Sequence, residues 1–259
     1  MKLLRSLCFA FSMFSLLPMP TLSWRDDNMR YIMAMFPLVG AAAGLIVWLW
    51  LLLCQALDLS ALLRAAGLTV LPVAITGGIH LDGFCDTVDA LASRAPAERK
   101  RAILKDPHAG AFAIVAAGCY LLIYFALSYE LDVTGSTPLL FLFTFTLSRS
   151  LSGFGVLTLK ESAAPGLAGA FKQAADRRLS ILVLAAFFLV SAAGLIYFGV
   201  ATGAVMVALA LLCFLRLRRL ARRTFEAMSG DLAGYFLEVC ELSMLAAQTF
   251  IPKVVTAWF

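Results

Sequence analysis

The sequence predicts an all-α fold, a polytopic transmembrane helical bundle of about six to seven spans preceded by an N-terminal interfacial helix. Three observations carry that expectation. Mean hydropathy is +0.90. Only 14% of residues are charged, against roughly a quarter in soluble domains. Apolar runs of nearly span length alternate with short charged connections, which leaves no separate soluble unit, so residues 1–259 read as a single integral membrane domain. The formal charge of +5 does not indicate nucleic acid, because Lys and Arg fall beside apolar runs and not in a basic domain of their own. The six cysteines are scattered without the paired spacing of zinc or redox sites, and buried reduced thiols are expected.

At the start, Lys2 and Arg5 precede a short apolar run that Pro18 and Pro20 close. This is the outline of a signal peptide without a small-residue cleavage site. It reads as an uncleaved helix lying in or dipping into the interface, continued by Trp24, Arg25 and Arg30. The first span covers about 31–56, with Trp48 and Trp50 near its far end. A short second span, about 65–79, brings the chain back at His80. A third, about 109–129, leads to Glu130 and Asp132 with no Lys or Arg nearby. A fourth, about 138–159, returns to Lys160, Glu161, Lys172, Arg177 and Arg178. The fifth and sixth, about 179–200 and 204–215, are joined by an uncharged turn and end at Arg216, Arg218, Arg219, Arg222 and Arg223. No span is fixed between 242 and 259. Basic residues thus dominate the loops after spans two, four and six, while the opposite loops hold Arg64 and little else. By the positive-inside rule the N-terminus and the His80 side face the cytoplasm.

The polar content concentrates between residues 76 and 110, where Asp82, Asp86, Asp89 and both histidines, His80 and His108, occur. On a helix the three aspartates stand at i, i+4 and i+7, within an arc of about 60°. Like charges so close repel one another unless a cation offsets them. Mg²⁺, a hard ion that takes oxygen ligands and arrives with substrate phosphates, is the simplest. A solvated acidic helix face explains the spacing equally well. Gly77, Gly78 and Gly83 clear space beside the carboxylates for a ligand or a backbone. Arg94, Arg99, Lys100, Arg101 and Lys105 follow, either as cations for phosphate oxygens or as a topology and headgroup signal. Acid, then base, with glycines between, reads as a metal and diphosphate site. A second constellation, Asp231, Glu238 and Glu241, stands at i, i+7 and i+10 beside Gly230 and Gly234. It either completes that metal site or is the solvated face of a surface helix. Arg149 lies halfway along the fourth span, where a charge is costly unless it faces a polar interior or an anion.

The run from Gly77 to Asp89, Gly-Gly-Ile-His-Leu-Asp-Gly-Phe-Cys-Asp-Thr-Val-Asp, resembles the signature of the cobalamin synthase family, the adenosylcobinamide-GDP ribazoletransferases. The resemblance continues through Lys105-Asp106 with Gly110, Phe36 to Gly40, Ser148-Arg149, Gly166-Leu167 with Phe171, and Gly230-Asp231 with Glu238 and Glu241, so it covers most of the chain in order. The family commonly has Arg where this chain has His108, and Arg shortly before the Gly-Leu pair where this chain has Ala163.

The resemblance implies transfer of adenosylcobinamide phosphate from its GDP-activated form to α-ribazole or α-ribazole 5′-phosphate, with release of GMP, in the last steps of cobalamin biosynthesis. On that implication Asp82 and Asp86 bind Mg²⁺, with Asp89 as third ligand or as base for the attacking ribose hydroxyl. His80 is the other base. Lys105 and Arg149 hold phosphate oxygens beside Arg101, and Asp106 orients Lys105 or joins the metal shell. It also implies a multi-pass protein of the bacterial cytoplasmic (inner) membrane, with the active site toward the cytoplasm. Its partners would be small-molecule substrates and membrane lipid, with a homo-oligomer or a complex with other late corrinoid enzymes left open. Two other readings stand beside it. One is an aspartate-rich intramembrane prenyltransferase or CDP-alcohol phosphotransferase, and the other a cation-coupled transporter with Asp82, Glu238 and Arg149 on an ion path.

Overall fold

A computed structural model describes residues 2–20, 22, 26–160 and 166–258; Trp24, Arg25, Glu161 and Ala163, named above, lie outside the described residues. Every element among the described residues is helical and no β-strand is present. In chain order they are α1 Lys2–Phe14, α2 Asp26–Met29, α3 Ile32–Ala56, α4 Ala61–Thr76, α5 Ile79–Ala92, α6 Ala97–Ile103, α7 Ala111–Glu130, α8 Thr137–Thr158, α9 Leu167–Ala174, α10 Arg177–Gly199, α11 Ala201–Arg219 and α12 Gly230–Trp258, with a π-helical turn Leu220–Thr224 before α12.

Helix α8 is the central helix, packed against α3, α10, α11 and α12. Its middle is rich in small and hydroxyl residues, and Ser148, Arg149, Ser150, Ser152 and Gly153 are all buried. Small side chains let neighbouring helices approach closely. The hydroxyls donate back to their own helix, Thr144 to the Leu140 carbonyl at 2.9 Å and Ser150 to the Thr146 carbonyl at 2.7 Å. Such bonds satisfy a polar group without water. The outer helices turn apolar side chains outward, among them Ile114, Val115 and Leu122 on α7 and Leu182, Leu189 and Val190 on α10. On a water-soluble surface so large a patch would drive association; in a bilayer it is the lipid face. The protein is a multi-pass membrane protein.

The span count differs from the six to seven expected. By length and composition four helices can cross a membrane, α3, α7, α8 and α10, or five if α4 and α5 count as one broken span. Helices α11 and α12 are outside that set; α11 ends in three arginines and α12 carries Asp231, Glu238, Glu241 and Lys253. Both nevertheless belong to the bundle, α11 packing on α10 and α12 on α5, α8 and α11. One end of the bundle gathers the basic connections. There Arg30 pairs with Asp176 at 3.1 Å, Met228 N–H donates to the Lys160 carbonyl at 2.7 Å, and the Arg101 guanidinium donates to the Phe225 carbonyl at 2.7 Å. At the other end Lys253 of α12 reaches Glu130 of α7 at 2.5 Å, and Ser136 Oγ donates to the Phe198 carbonyl at 2.6 Å. Helix α12, which no expected span covered, therefore runs from one end to the other.

The α4–α5 junction positions the site. Gly77 and Gly78 adopt φ of +64° and +79°, left-handed values that most side chains avoid. Two such residues in succession stop α4 and turn the chain by 92° into α5. The aspartate helix consequently lies across the end of the bundle. Helix α1 packs on α3 through buried Ser6, Phe9 and Ala10, and Leu16 N–H donates to the Ile75 carbonyl just before the turn.

Candidate active site

Helix α5 buries His80, Gly83, Phe84, Thr87 and Ala90, a stripe at helical spacing flanked by Asp82 and Asp86. The stripe seats on α12. The Phe84 ring stacks on Tyr235 with centroids 5.8 Å apart and an interplanar angle of 8°. At the crossing Gly83 faces Gly234 closely enough that a Cβ on Gly83 would stand 2.8 Å from the Asp231 Cα, and one on Gly234 2.8 Å from the His80 carbonyl oxygen. Glycine is required there because two helix backbones meet. The contact brings Asp231, in the first turn of α12, into electrostatic contact with Asp82 and Asp86.

Asp231 also lines a cleft with an empty volume of about 770 Å³. Its other walls are Arg101, Leu104 and Lys105 from the end of α6, Gly166 to Gly169 at the start of α9, and Phe225 with Ala227 to Leu232. Two helix N-termini open into it. Ser229 caps the second, its Oγ accepting from Leu232 N–H at 3.2 Å. Helix N-termini and two cationic side chains favour phosphate oxygens, while the carboxylates at one edge favour a hard cation.

The remaining predicted residues fall into two other places. Asp89 points at α7, where its two carboxylate oxygens accept from Gly110 N–H at 2.6 Å and Ala113 N–H at 2.9 Å. It supplies the cap that Gly110 lacks. Asp106 is in the exposed connection before α7. His108 Nδ1 lies 2.8 Å from its Oδ1 and the His108 N–H donates to the same oxygen at 3.0 Å, and the ring contact first, the backbone bond second, holds the Asp106 carboxyl below the usual carboxylate range. The third group is inside the bundle. Arg149, 2% exposed, forms an ion pair with Glu241 and receives further support from Ser148, whose Oγ donates to Glu241 at 2.7 Å. The Arg149 Cζ stands 5.2 Å from the Phe145 ring centroid. Glu238 is also buried, in electrostatic reach of Tyr120, Glu241 and Arg149. His80 is buried against the Phe36 ring, and its Nε2 has no partner among the described residues.

The structure thus brings together Asp82, Asp86, Asp231, Arg101 and Lys105, keeps Asp89 in electrostatic reach of Asp86 while its oxygens are taken by α7, and places Asp106, His80, Arg149, Glu238 and Glu241 elsewhere. Among the described residues no three His, Cys, Asp or Glu side chains close around a point as a metal cage. The donor set at the cleft edge is nonetheless all-oxygen and like-charged, and Mg²⁺ bound with substrate phosphates needs only one or two carboxylates. Sequence reading missed the cleft walls at 168–169 and 225–229. The signal for the latter was Ser229 before Gly230-Asp231, an N-cap followed by an acidic first turn.

A family profile described as cobalamin-5-phosphate synthase matches residues 6–249. A protein of Lachnoclostridium phytofermentans called adenosylcobinamide-GDP ribazoletransferase is 41% identical over 242 residues, 93% of this chain and 92% of its own. Proteins of the same description from Clostridium botulinum (strain Alaska E43 / Type E3) and Pseudomonas fluorescens are 30% and 34% identical, over 93% and 81% of this chain and 95% and 84% of theirs. No solved structure matches.

Proposed function

The chain belongs to the cobalamin-5-phosphate synthase family, and on that premise we propose that it is an adenosylcobinamide-GDP ribazoletransferase, joining the GDP-activated corrinoid to α-ribazole or its 5′-phosphate and releasing GMP. The observation that carries the reading to particular residues is the cleft in which Asp231 stands beside Asp82 and Asp86 at one edge, facing Arg101 and Lys105. Lys105 and Arg101 take oxygens of the diphosphate, and the N-termini of α9 and α12 offer it backbone N–H groups. Asp82 and Asp86 would hold Mg²⁺, which when bound neutralises charge on the phosphoryl oxygens and eases departure of GMP. The attacking ribose hydroxyl must lose a proton. Asp89 spends both oxygens on α7 and His80 is buried, so the carboxylate lining the cleft, Asp231, accepts it. The site end also carries the basic loops, which by the positive-inside rule orients it to the cytoplasm of a bacterial inner membrane.

The test is GMP release by detergent-purified protein given adenosylcobinamide-GDP and α-ribazole 5′-phosphate, with and without Mg²⁺, for wild type and Asp82→Asn. Release that needs Mg²⁺ and is lost in the variant is expected. No release from folded wild type overturns the transferase; release indifferent to Mg²⁺ overturns the metal.

A further inference from the structure

At the site end of the α10–α11 hairpin the outer surface carries a run of arginines unpaired among the described residues. Arg216, Arg218 and Arg219 close α11, and Arg222 and Arg223 follow in the π-helical turn. All five side chains are exposed. Among the described residues none of the five makes an ion pair, the pairs there being Arg30–Asp176, Arg101–Glu226, Arg149–Glu241, Lys253–Glu130 and the His108–Asp106 contact. Nor do any of them line the cleft, so the substrate diphosphate is held elsewhere. Helix α10 runs antiparallel to α11 and packs on it, which brings the exposed Arg177 and Arg178 of its first turn to the same end.

The surface next to these cations is apolar and uncovered. Leu212 and Leu215 of α11 are 60% and 57% exposed, and Leu182 of α10 is 67% exposed. Leucines followed by arginines along one outward face is the profile of a lipid, acyl chains first and headgroup second. Topology signalling alone needs only positive charge, which lysine supplies equally well. Here all five positions are arginine, whose planar fork takes two phosphate oxygens at once. We infer that Arg216, Arg218, Arg219, Arg222 and Arg223 form a binding site for the phosphate headgroup of anionic phospholipids, with the acyl chains lying along the exposed leucines of α11 and α10.

The experiment is native mass spectrometry of the purified full chain in a non-ionic detergent, with equal amounts of phosphatidylglycerol and phosphatidylcholine added. Wild type is expected to retain phosphatidylglycerol in preference. Each near-surface arginine contributes about fivefold to such binding, so Arg218→Gln with Arg222→Gln should weaken retention roughly tenfold or more, and the matching pair of Arg→Lys changes should fall between. Thermal melting in the same detergent reports whether the variants remain folded. Equal retention of the two lipids by wild type overturns the site whatever the variants do. Retention unchanged in a folded Gln variant overturns it as well, and displacement of phosphatidylglycerol by inorganic phosphate would give the arginines to a free anion instead of a lipid.

Discussion

Arg149 and Glu241 carry opposite charges inside the bundle, on α8 and α12, and each makes the other tolerable. Removing one partner leaves an uncompensated charge that costs about 3–5 kcal/mol, whereas replacing both by apolar residues of similar size is often neutral. Arg149→Met alone should therefore lower the melting temperature in detergent sharply, and Arg149→Met with Glu241→Met should recover most of the loss. GMP release separates two roles for the arginine. Activity that returns with stability means that Arg149 holds α12; a stable but inactive double variant would give it the phosphate instead. The sequence disclosed that Arg149 needed an anion and could not disclose which one, because its partner lies 92 residues away. Asp89 is a similar case. Helical spacing puts it on a face with Asp82 and Asp86, but the structure aims its oxygens at the backbone of α7. Spacing assigns a face, not a partner. Asp89→Ala should cost about 1–2 kcal/mol, seen as a lower melting temperature and faster proteolysis between 94 and 110, while Asp89→Asn, which keeps one acceptor oxygen, should cost less.

Among the elements, α5 depends on two kinds of glycine, and they should respond differently to substitution. Gly78 needs only its φ of +79°; a Cβ there would meet nothing within 4 Å. Gly78→Ala should cost about 1–2 kcal/mol of conformational strain, and Gly78→Asn less, since Asn tolerates the left-handed region. Gly83 instead has the α12 backbone 2.8 Å from where its Cβ would be, and neither helix axis can yield as a flexible side chain does. Gly83→Ala should cost about 1–3 kcal/mol and also move Asp231 relative to Asp82 and Asp86. GMP release per folded molecule, with folding followed by thermal melting, checks this. The expected order is Gly78→Asn near wild type and Gly83→Ala well below it, and equal losses would mean that the α5–α12 crossing does not set the site. The Gly-Gly pair was legible as cleared space at the end of the second span, not as the 92° turn it makes. The crossing at Gly83 and Gly234 was not, because it joins segments about 150 residues apart, and nothing local in either helix announces the other.

Across the whole molecule the apolar runs gave the helices nearly as they stand, because a helix in lipid satisfies its own backbone and must be long and apolar to do so. Helix α12 escaped that logic. Its carboxylates depress its hydropathy, yet Glu238 and Glu241 are buried toward α7 and α8 and not exposed to lipid. Its passage from the cleft to Glu130 fixes the two ends of the bundle as opposite faces. His108, whose side chain is 89% exposed, marks the site end, and Thr134, exposed in the α7–α8 connection, marks the other. The positive-inside rule, applied to the basic loops of the site end, predicts the cytoplasmic side for it. In a Cys119→Ser background, which removes the one exposed thiol among the described residues, His108→Cys should react with a membrane-impermeant maleimide in inverted vesicles and Thr134→Cys in right-side-out vesicles. The reversed pattern would put the cleft outside the cell, away from the nucleotide pools that a GDP-activated substrate requires. Labelling of both positions from one side would mean that α7 returns to the face it started from, and that the two ends of the bundle share one side of the membrane.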